Sequence, residues 1–260
     1  MISIDLAGQN AVVFGVANKN SIAWSIVQKL SEAGVRLALP YLGEKLGDRV
    51  RKLAQELPQE PILVECDVTK EEQVEAVFER IAQEMGSLDM LVHSIAFANR
   101  SDLEGHFKDT SRDGYLLAME ISAFSLLRLM HYAEPLMSEN GGSVIALTYM
   151  ASQRTVGNYN VMGSAKAALE HAVRQLAFEL GPKNIRVNAI SAGPVNTLSA
   201  RGIGGFKTML EANAERACLK RNITVDEVGN AGLFLLSPMS SGITAETLYV
   251  DAGFNTVQLS

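Results

Sequence analysis

The first strand, turn and helix of the chain are predicted in the stretch Ala11-Val12-Val13-Phe14-Gly15-Val16-Ala17-Asn18-Lys19-Asn20-Ser21-Ile22-Ala23. The apolar run is typical of a buried strand, and Gly15 permits a tight turn directly after it. Asn20 or Ser21 can cap the helix that follows. The N-terminus of that helix favours a pyrophosphate, to which the Ser21 hydroxyl can add a hydrogen bond. Many strand–turn–helix units carry a glycine and a serine only to make the turn. This stretch alone therefore does not establish a pyrophosphate site, and observations from other segments are needed.

The same alternation continues along the chain. Short apolar runs, which we interpret as strands, occupy residues 11–14, 35–39, 62–65, 90–93, 143–147, 186–190 and 247–250. Longer segments of helical period lie near residues 22–33, 44–57, 70–85, 112–137, 161–180 and 225–236. Continuous apolar strands that alternate with helices indicate a parallel sheet covered on both faces. Right-handed crossovers then predict a doubly wound, Rossmann-type α/β sheet of about seven parallel strands.

Composition narrows the class of protein. The chain has 260 residues, of which 47% are hydrophobic, and no linker or repeat divides it, so we expect one domain over residues 1–260. A net charge of −6 without a basic run argues against nucleic acid as a partner. Cys66 and Cys218 lack metal-ligand spacing, and we expect two free thiols and no metal. The N-terminus lacks a signal-peptide pattern, and no apolar run reaches about 18 residues, so we expect a cytoplasmic protein without membrane insertion.

A second informative stretch, residues 149–166, reads Tyr-Met-Ala-Ser-Gln-Arg-Thr-Val-Gly-Asn-Tyr-Asn-Val-Met-Gly-Ser-Ala-Lys. On a helix, the seven steps from Tyr159 to Lys166 return to nearly the same face, roughly 10 Å further along. The phenol can then donate to a developing oxyanion, while the ammonium can lower the pKa of the phenol and hold a sugar hydroxyl. Tyr149 adds a second phenol. The alternative is a surface tyrosine and a solvated lysine on an amphipathic helix.

The ends of the other strands supply weaker candidates for a nucleotide site. Asp67 and Val68 can place a carboxylate and a backbone amide near an adenine, although Asp67 serves equally well as a helix-start residue. Small residues follow the fourth strand and let the backbone approach a ribose. We interpret His93, just before them, as a core histidine. After the second strand, neither an acidic residue for a ribose 2′-hydroxyl nor an adjacent arginine for a 2′-phosphate is found.

These segments together resemble the short-chain dehydrogenase/reductase superfamily and, within it, the bacterial enoyl-[acyl-carrier-protein] reductases of fatty-acid synthesis. The resemblance covers essentially the whole chain and rests on residues 15–23, 93–98, 158–167 and 186–194, together with Tyr149. Ordinary members of the superfamily have Tyr-x3-Lys and a serine about 13 residues before the tyrosine. Here the spacing is Tyr-x6-Lys and the upstream position is Ala146, which favours the enoyl-reductase branch.

The resemblance implies the reduction of a trans-2-enoyl thioester with NADH, NADPH not being excluded, as the last step of the elongation cycle. The implied catalytic residues are Tyr149, Tyr159 and Lys166. The implied cofactor-binding residues are Gly15, Ser21, Ile22, Leu42, Asp67, Val68, Ser94, Ile95, Lys166, Val195, Asn196, Thr197, Leu198 and Ser199. The implied substrate-binding residues are Ala98, Tyr149, Tyr159, Met162, Ala200 and Phe206.

The least regular segment, about residues 194–221, contains a helical pattern from Phe206 to Ala217 and follows the sixth strand. Ligands bind at that edge of such sheets, so we expect a substrate-covering lid there. A surface excursion or an oligomer contact is the alternative. The resemblance further implies an acyl-carrier protein as partner and a homotetramer built partly on the helix that carries Lys166.

Two other functions remain open on the residues alone. One is a related reductase of the superfamily that acts on a 3-ketoacyl thioester or a ketone, against which the Tyr-x6-Lys spacing argues. The other is a dinucleotide-binding sensor without catalysis, which would need only the cofactor contacts and not the two tyrosines with the lysine.

Overall fold

The computed structural model describes residues 4–197 and 204–257, and it contains one sheet of seven parallel strands. The strand order is β3-β2-β1-β4-β5-β6-β7. The strands are β1 Asn10–Phe14, β2 Arg36–Tyr41, β3 Ile62–Glu65, β4 Met90–His93, β5 Gly142–Thr148, β6 Ile185–Ala192 and β7 Thr247–Val250. The predicted doubly wound α/β sheet is therefore confirmed, and every predicted strand is present within a few residues at each end.

Eight α-helices accompany the strands in the described part of the chain. They are α1 Ile22–Glu32, α2 Gly43–Ala54, α3 Glu71–Met85, α4 Arg112–Met119, α5 Ser125–Met137, α6 Asn160–Leu180, α7 Phe206–Arg216 and α8 Val225–Leu236. Within residues 4–197 and 204–257, none of these helices combines the length and the apolar character needed to cross a bilayer.

The two faces of the sheet carry separate apolar cores. Alternate side chains of β1 point to opposite faces, so that Val13 joins Trp24 of α1 and Leu235 of α8 on one face. Phe14 joins Phe78 of α3 and residues of α5 and α6 on the other. Each fully buried large apolar side chain contributes roughly 1.5–3 kcal/mol relative to exposure, which explains why the strands read as continuous apolar runs.

The single helix predicted over residues 112–137 is interrupted by a π-helical turn at Glu120–Phe124. The wider turn accompanies a buried contact in which the Ser122 hydroxyl accepts from the Phe97 N–H at 3.0 Å and lies 3.2 Å from the Phe97 carbonyl oxygen, to which it can donate. The helical period alone could not reveal this turn, because its hydrogen-bond partner lies far away in sequence. π-helical turns of this kind occur often beside functional sites.

Candidate active site

A cleft of about 810 Å³ lies at the carboxyl ends of the strands. Its walls come from the segments that follow β1 to β6, together with α6 and α7. The order β2-β1-β4-β5 places a topological switch between β1 and β4, and ligands of open α/β sheets bind in the crevice at such a switch. Sheet topology alone thus brings the two informative stretches of the sequence, residues 11–23 and 149–166, to the same cleft.

The turn after β1 packs closely against the segment after β4. Gly15 has φ +100°, and a Cβ there would lie 2.6 Å from the Ser94 carbonyl carbon and still closer to its oxygen. Only glycine fits both the conformation and the space. The Ser94 N–H in turn donates to the Phe14 carbonyl at 3.2 Å. The fit lets backbone line this part of the cleft, as a dinucleotide requires when it crosses a strand end.

Ser21 caps α1, as one of the two residues predicted for that position. Its side-chain oxygen accepts from the Trp24 N–H at 3.3 Å, and its hydroxyl donates to the Asn18 carbonyl at 2.7 Å. The hydroxyl proton is therefore used within the turn. A hydrogen bond from Ser21 to a phosphate, which the sequence suggested, would require this hydroxyl to rotate away from Asn18. The helix N-terminus itself remains favourable for an anion.

The segments after β2 and β3 form the far end of the cleft. Leu42 is exposed, and it precedes α2 without a side-chain cap. Asp67 accepts at Oδ1 from both the backbone and the hydroxyl of Thr69, and its own N–H donates to Gln73. Asp67 therefore shapes the turn before α3, which was the alternative interpretation of this residue. Thr69 does not cap α3, whose N-cap is Lys70.

Two phenols meet above the end of β5. Tyr149 follows β5, and Tyr159 is the N-cap residue of α6 with φ −124°. Their ring centroids are 5.0 Å apart at an interplanar angle of 58°. The Tyr149 hydroxyl lies 3.7 Å from the Met209 sulfur on α7. The pair of tyrosines predicted from the sequence is thus one packed unit rather than two separate surface residues.

Lys166 lies two turns into α6 and is buried. Its ammonium donates to the Leu147 carbonyl at 2.7 Å. Burial lowers the pKa of Lys166 to about 8, against a smaller opposing effect of Glu170. An ammonium has three N–H donors, so Lys166 can keep the bond to Leu147 and still bind a ribose hydroxyl.

The phenol pKa values differ from the sequence expectation. Burial raises the pKa of Tyr159, and the neighbouring Tyr149 raises it further. Burial also raises the pKa of Tyr149, with a contribution from Asp251. The net direction is opposite to the one expected from the neighbouring ammonium, because removal from water disfavours the charged phenolate. Both phenols stay protonated at neutral pH and can donate hydrogen bonds.

Most of the residues proposed for the site line this one cleft. Those that do are Gly15, Ser21, Ile22, Leu42, Asp67, Val68, Ser94, Ile95, Ala98, Tyr149, Tyr159, Met162, Lys166, Val195, Thr197 and Phe206. Asn196 lies in a neighbouring small cleft that also includes Val195. Leu198, Ser199 and Ala200 lie outside the described residues. The shared location supports the assignments, while the individual roles remain predictions.

Some residues that line or support the cleft were not predicted from the sequence. Met209 reaches the cleft from α7, and Glu170 is buried one turn beyond Lys166. The four-residue spacing from Lys166 was the available signal for Glu170, since it places both on one helix face. His93, interpreted as a core histidine, is fully buried, and its Nε2 lies 2.8 Å from the Ser125 hydroxyl. Burial lowers the pKa of His93 to about 3, so it is neutral.

Metal ligation has no candidate in the described residues. Within residues 4–197 and 204–257, no group of three or more His, Cys, Asp or Glu side chains could hold a metal ion.

A family model described as Enoyl-(Acyl carrier protein) reductase matches residues 15–255. The enoyl-[acyl-carrier-protein] reductase [NADH] FabI of Bacillus cereus is 51% identical over 251 residues, which cover 96% of this chain and 98% of that protein. The chain belongs to the enoyl-(acyl carrier protein) reductase family.

Solved structures of this reductase family have the same fold. A crystal structure of the Bacillus cereus enoyl-acyl carrier protein reductase with NADP+ and indole naphthyridinone has a TM-score of 0.96, 50% identity, and coverage of 99% of this chain and 100% of that chain. The reductase from Anaplasma phagocytophilum in complex with NAD has a TM-score of 0.94 and 44% identity, covering 98% of this chain and 97% of that one. The resemblance derived from the sequence motifs is confirmed.

Relatives within the reductase family differ in the dinucleotide that their names carry. The Staphylococcus aureus relative, an enoyl-[acyl-carrier-protein] reductase [NADPH] FabI, is 48% identical over 256 residues, covering 98% of this chain and all of that protein. The Bacillus cereus relative carries NADH in its name. Family membership therefore supports a nicotinamide dinucleotide without selecting between its two forms.

Proposed function

We propose that this protein reduces the trans-2 double bond of an enoyl thioester carried by an acyl-carrier protein, in the last step of the fatty-acid elongation cycle. The observation that carries this proposal is the position of the Tyr149–Tyr159 pair and Lys166 in the same cleft as the Gly15 turn. A dinucleotide-binding sensor without catalysis would need only the Gly15 turn. A ketoreductase of the same superfamily is expected to have the shorter Tyr-x3-Lys spacing.

The residues at the strand ends fit a nicotinamide dinucleotide. The closely packed Gly15 turn and the N-terminus of α1 suit the pyrophosphate, Ser94 and Ile95 suit a ribose and the base, and Lys166 suits the hydroxyls of the nicotinamide ribose. When bound in its reduced form, the nicotinamide supplies a hydride to the β-carbon of the enoyl thioester. The other requirements of the reaction fall to the side chains of this chain.

Tyr159 stabilises the charge that the reaction creates. As the β-carbon is reduced, negative charge develops on the thioester oxygen as an enolate, and uptake of one proton at the α-carbon completes the reduction. Because burial keeps the Tyr159 phenol protonated, it can donate a hydrogen bond to that oxygen. The protonated Lys166 keeps the site electropositive, and Tyr149, packed on the Tyr159 ring, assists from the acyl side.

The acyl chain is proposed to lie along Ala98, Met162 and Phe206. Phe206 and Met209 reach the cleft from α7, which supports a covering role for residues 194–221. Ala200, also proposed for this pocket, lies in the undescribed part of that segment. The whole chain is proposed to work as one domain, since a single sheet carries the cofactor residues and the substrate residues.

NADH is the proposed hydride source, with NADPH as the alternative. Arg51 on α2 lies beside the last residue of β2, where its guanidinium donates to the Tyr41 hydroxyl at 3.2 Å and to Asp48 at 2.7 Å. A 2′-phosphate would have to compete with Asp48 for this guanidinium and would face its negative charge. The arrangement therefore favours a free 2′-hydroxyl.

A homotetramer in the cytoplasm is proposed from the family resemblance and is supported by exposed apolar side chains. On the segment from α4 to α5 and on α6 these are Leu116, Phe124, Leu127 and Phe178, the last 81% exposed. Apolar residues that recur on adjacent helices are typical of subunit interfaces. Size-exclusion chromatography with light scattering measures the subunit number directly.

The test of the function follows absorbance near 340 nm with crotonyl-CoA, offering NADH and NADPH in parallel and acetoacetyl-CoA as control. Oxidation of the dinucleotide only with the enoyl thioester is the expected result. Oxidation only with acetoacetyl-CoA would identify a ketoreductase instead. If neither thioester reacts, the same assay with a crotonyl-loaded acyl-carrier protein decides between strict carrier dependence and a sensor without catalysis.

A further inference from the structure

Glu170 makes three hydrogen bonds inside the protein that the proposed mechanism does not use. It is 3% exposed, on the inner face of α6. Its Oε1 accepts from the Thr148 hydroxyl at 2.8 Å and from the Ser152 hydroxyl at 2.6 Å, and its Oε2 accepts from the Gln153 amide at 3.3 Å. A buried carboxylate is costly unless it is hydrogen-bonded in this way, so these contacts account for its burial.

The three donors lie on both sides of Tyr149 in the chain. Thr148 is the last residue of β5 and directly precedes Tyr149, while Ser152 and Gln153 end the short turn that follows it. Glu170 therefore holds the two ends of the Tyr149 segment to α6. Because Tyr159 is the N-cap residue of α6 and Lys166 lies within it, the carboxylate fixes Tyr149 relative to Tyr159 and Lys166.

We infer that Glu170 is a positioning residue that holds Tyr149 in register with Tyr159 and Lys166. The inference rests on the proposed reductase function, because it assigns Glu170 a part in that reaction through Tyr149. The carboxylate does not line the cleft, so Glu170 acts through Tyr149 and not on the substrate itself. Its negative charge also favours the ammonium form of Lys166, one turn away on the same helix face.

The kinetic test combines Glu170→Ala with Tyr149→Phe in a double-mutant cycle. Each single change is expected to lower kcat/KM for crotonyl-CoA about tenfold, which corresponds to one ordinary hydrogen bond. If Glu170 acts through Tyr149, the double variant also loses about tenfold rather than a hundredfold, because residues that act through one contact are not additive. NADH affinity, measured by fluorescence titration, stays within about twofold of the wild type, whereas general loosening of the fold would weaken it as well.

Milder variants keep the test valid if Glu170→Ala folds poorly. Thr148→Val removes one of the donors to Glu170 with little change of shape, and Glu170→Gln retains an acceptor oxygen for the two hydroxyls. Both are expected to lose activity in the same direction as Glu170→Ala and by less. Glu179→Ala is the matched control, since this glutamate lies on the same helix but is exposed and bonds only to Gln175 in the described contacts.

A measurement without turnover separates this inference from the proposed function. The chain has six tyrosines, and biosynthetic replacement by 3-fluorotyrosine gives a ¹⁹F resonance for each, with Tyr149 assigned from Tyr149→Phe. Glu170→Gln is expected to shift the Tyr149 resonance and leave that of Tyr41 in place. An unmoved Tyr149 resonance, or a hundredfold loss in the double variant, would overturn the inference. If the wild type reduces no enoyl thioester, the proposed function fails, while the ¹⁹F result still decides whether Glu170 holds Tyr149 in place.

Discussion

Lys166 belongs to the proposed active site, and we expect its burial to lower the free energy of unfolding of the protein. Its pKa falls from an ordinary value of 10.5 to about 8, and each pKa unit corresponds to about 1.4 kcal/mol. The buried ammonium therefore costs about 3 kcal/mol of folding free energy at neutral pH. Replacing Lys166 by Met keeps the length and the helix preference and removes the charge. The lost bond to the Leu147 carbonyl offsets about 1–2 kcal/mol, so we expect a net gain of about 1–2 kcal/mol at pH 7.

The expected gain in stability of Lys166→Met depends on pH. Between about pH 8 and pH 10.5 the unfolded chain binds more protons at Lys166 than the folded protein, so this residue makes the wild type more stable as pH rises. The methionine variant lacks that contribution. The excess free energy of unfolding of Lys166→Met over the wild type should therefore decrease by about 2 kcal/mol between pH 7 and pH 9.5.

Urea unfolding at both pH values, followed by circular dichroism at one protein concentration and without dinucleotide, measures the difference. Lys52→Met on the exposed face of α2 is the matched control and should change stability little at either pH. The prediction would be refuted if Lys166→Met were less stable than the wild type at pH 7. It would also be refuted if the difference in free energy of unfolding between the two proteins were the same at both pH values. The same variant should bind NADH weakly and lose turnover, because the ribose contact is gone.

Three further outcomes are expected. Tyr159→Phe should lower kcat/KM for crotonyl-CoA roughly 10²–10³-fold, with NADH binding by fluorescence nearly unchanged, since it removes one donor to the developing oxyanion; a loss of only twofold would exclude that role. Gly15→Ala should abolish NADH binding, because its Cβ would collide with a neighbouring backbone carbonyl, whereas Gly8→Ala, with a similar φ of +86° and nothing within 4 Å, should still bind. Ellman's reagent should modify the exposed Cys218 quickly and Cys66 only after unfolding, because burial raises the pKa of the Cys66 thiol to about 12; fast reaction of two thiols in the folded protein would contradict this.

Local sequence was sufficient for the elements that follow a simple period. The strand β1, the glycine turn and the cap at Ser21 could be predicted from adjacent residues. A short apolar run indicates a buried strand, and the cap bond joins Ser21 to Trp24 nearby in the chain, whereas the strands that pair with β1 are distant in sequence. The spacing of Tyr159 and Lys166 likewise predicted a shared cleft. Side chains seven residues apart on a helix lie on nearly the same face. Lys166 in α6 shares the cleft with Tyr159, which the structure places at the N-cap just before that helix.

Other features depend on partners that are distant in the sequence. The π-helical turn at Glu120–Phe124 accompanies a contact with Phe97, and the three donors to Glu170 come from β5 and the turn that follows it. The pKa of Tyr159 moved in the opposite direction to the sequence expectation, because the helix period shows which groups are close but not how much water is excluded.

The sequence by itself thus determined the family, the order of elements and the residues that meet at the strand ends. Only the tertiary structure decided which of those residues are buried, what holds them and which protonation state they keep. The physical reason is that periodicity is a property of neighbouring residues, whereas desolvation and long-range hydrogen bonding arise only when the layers of the fold pack together.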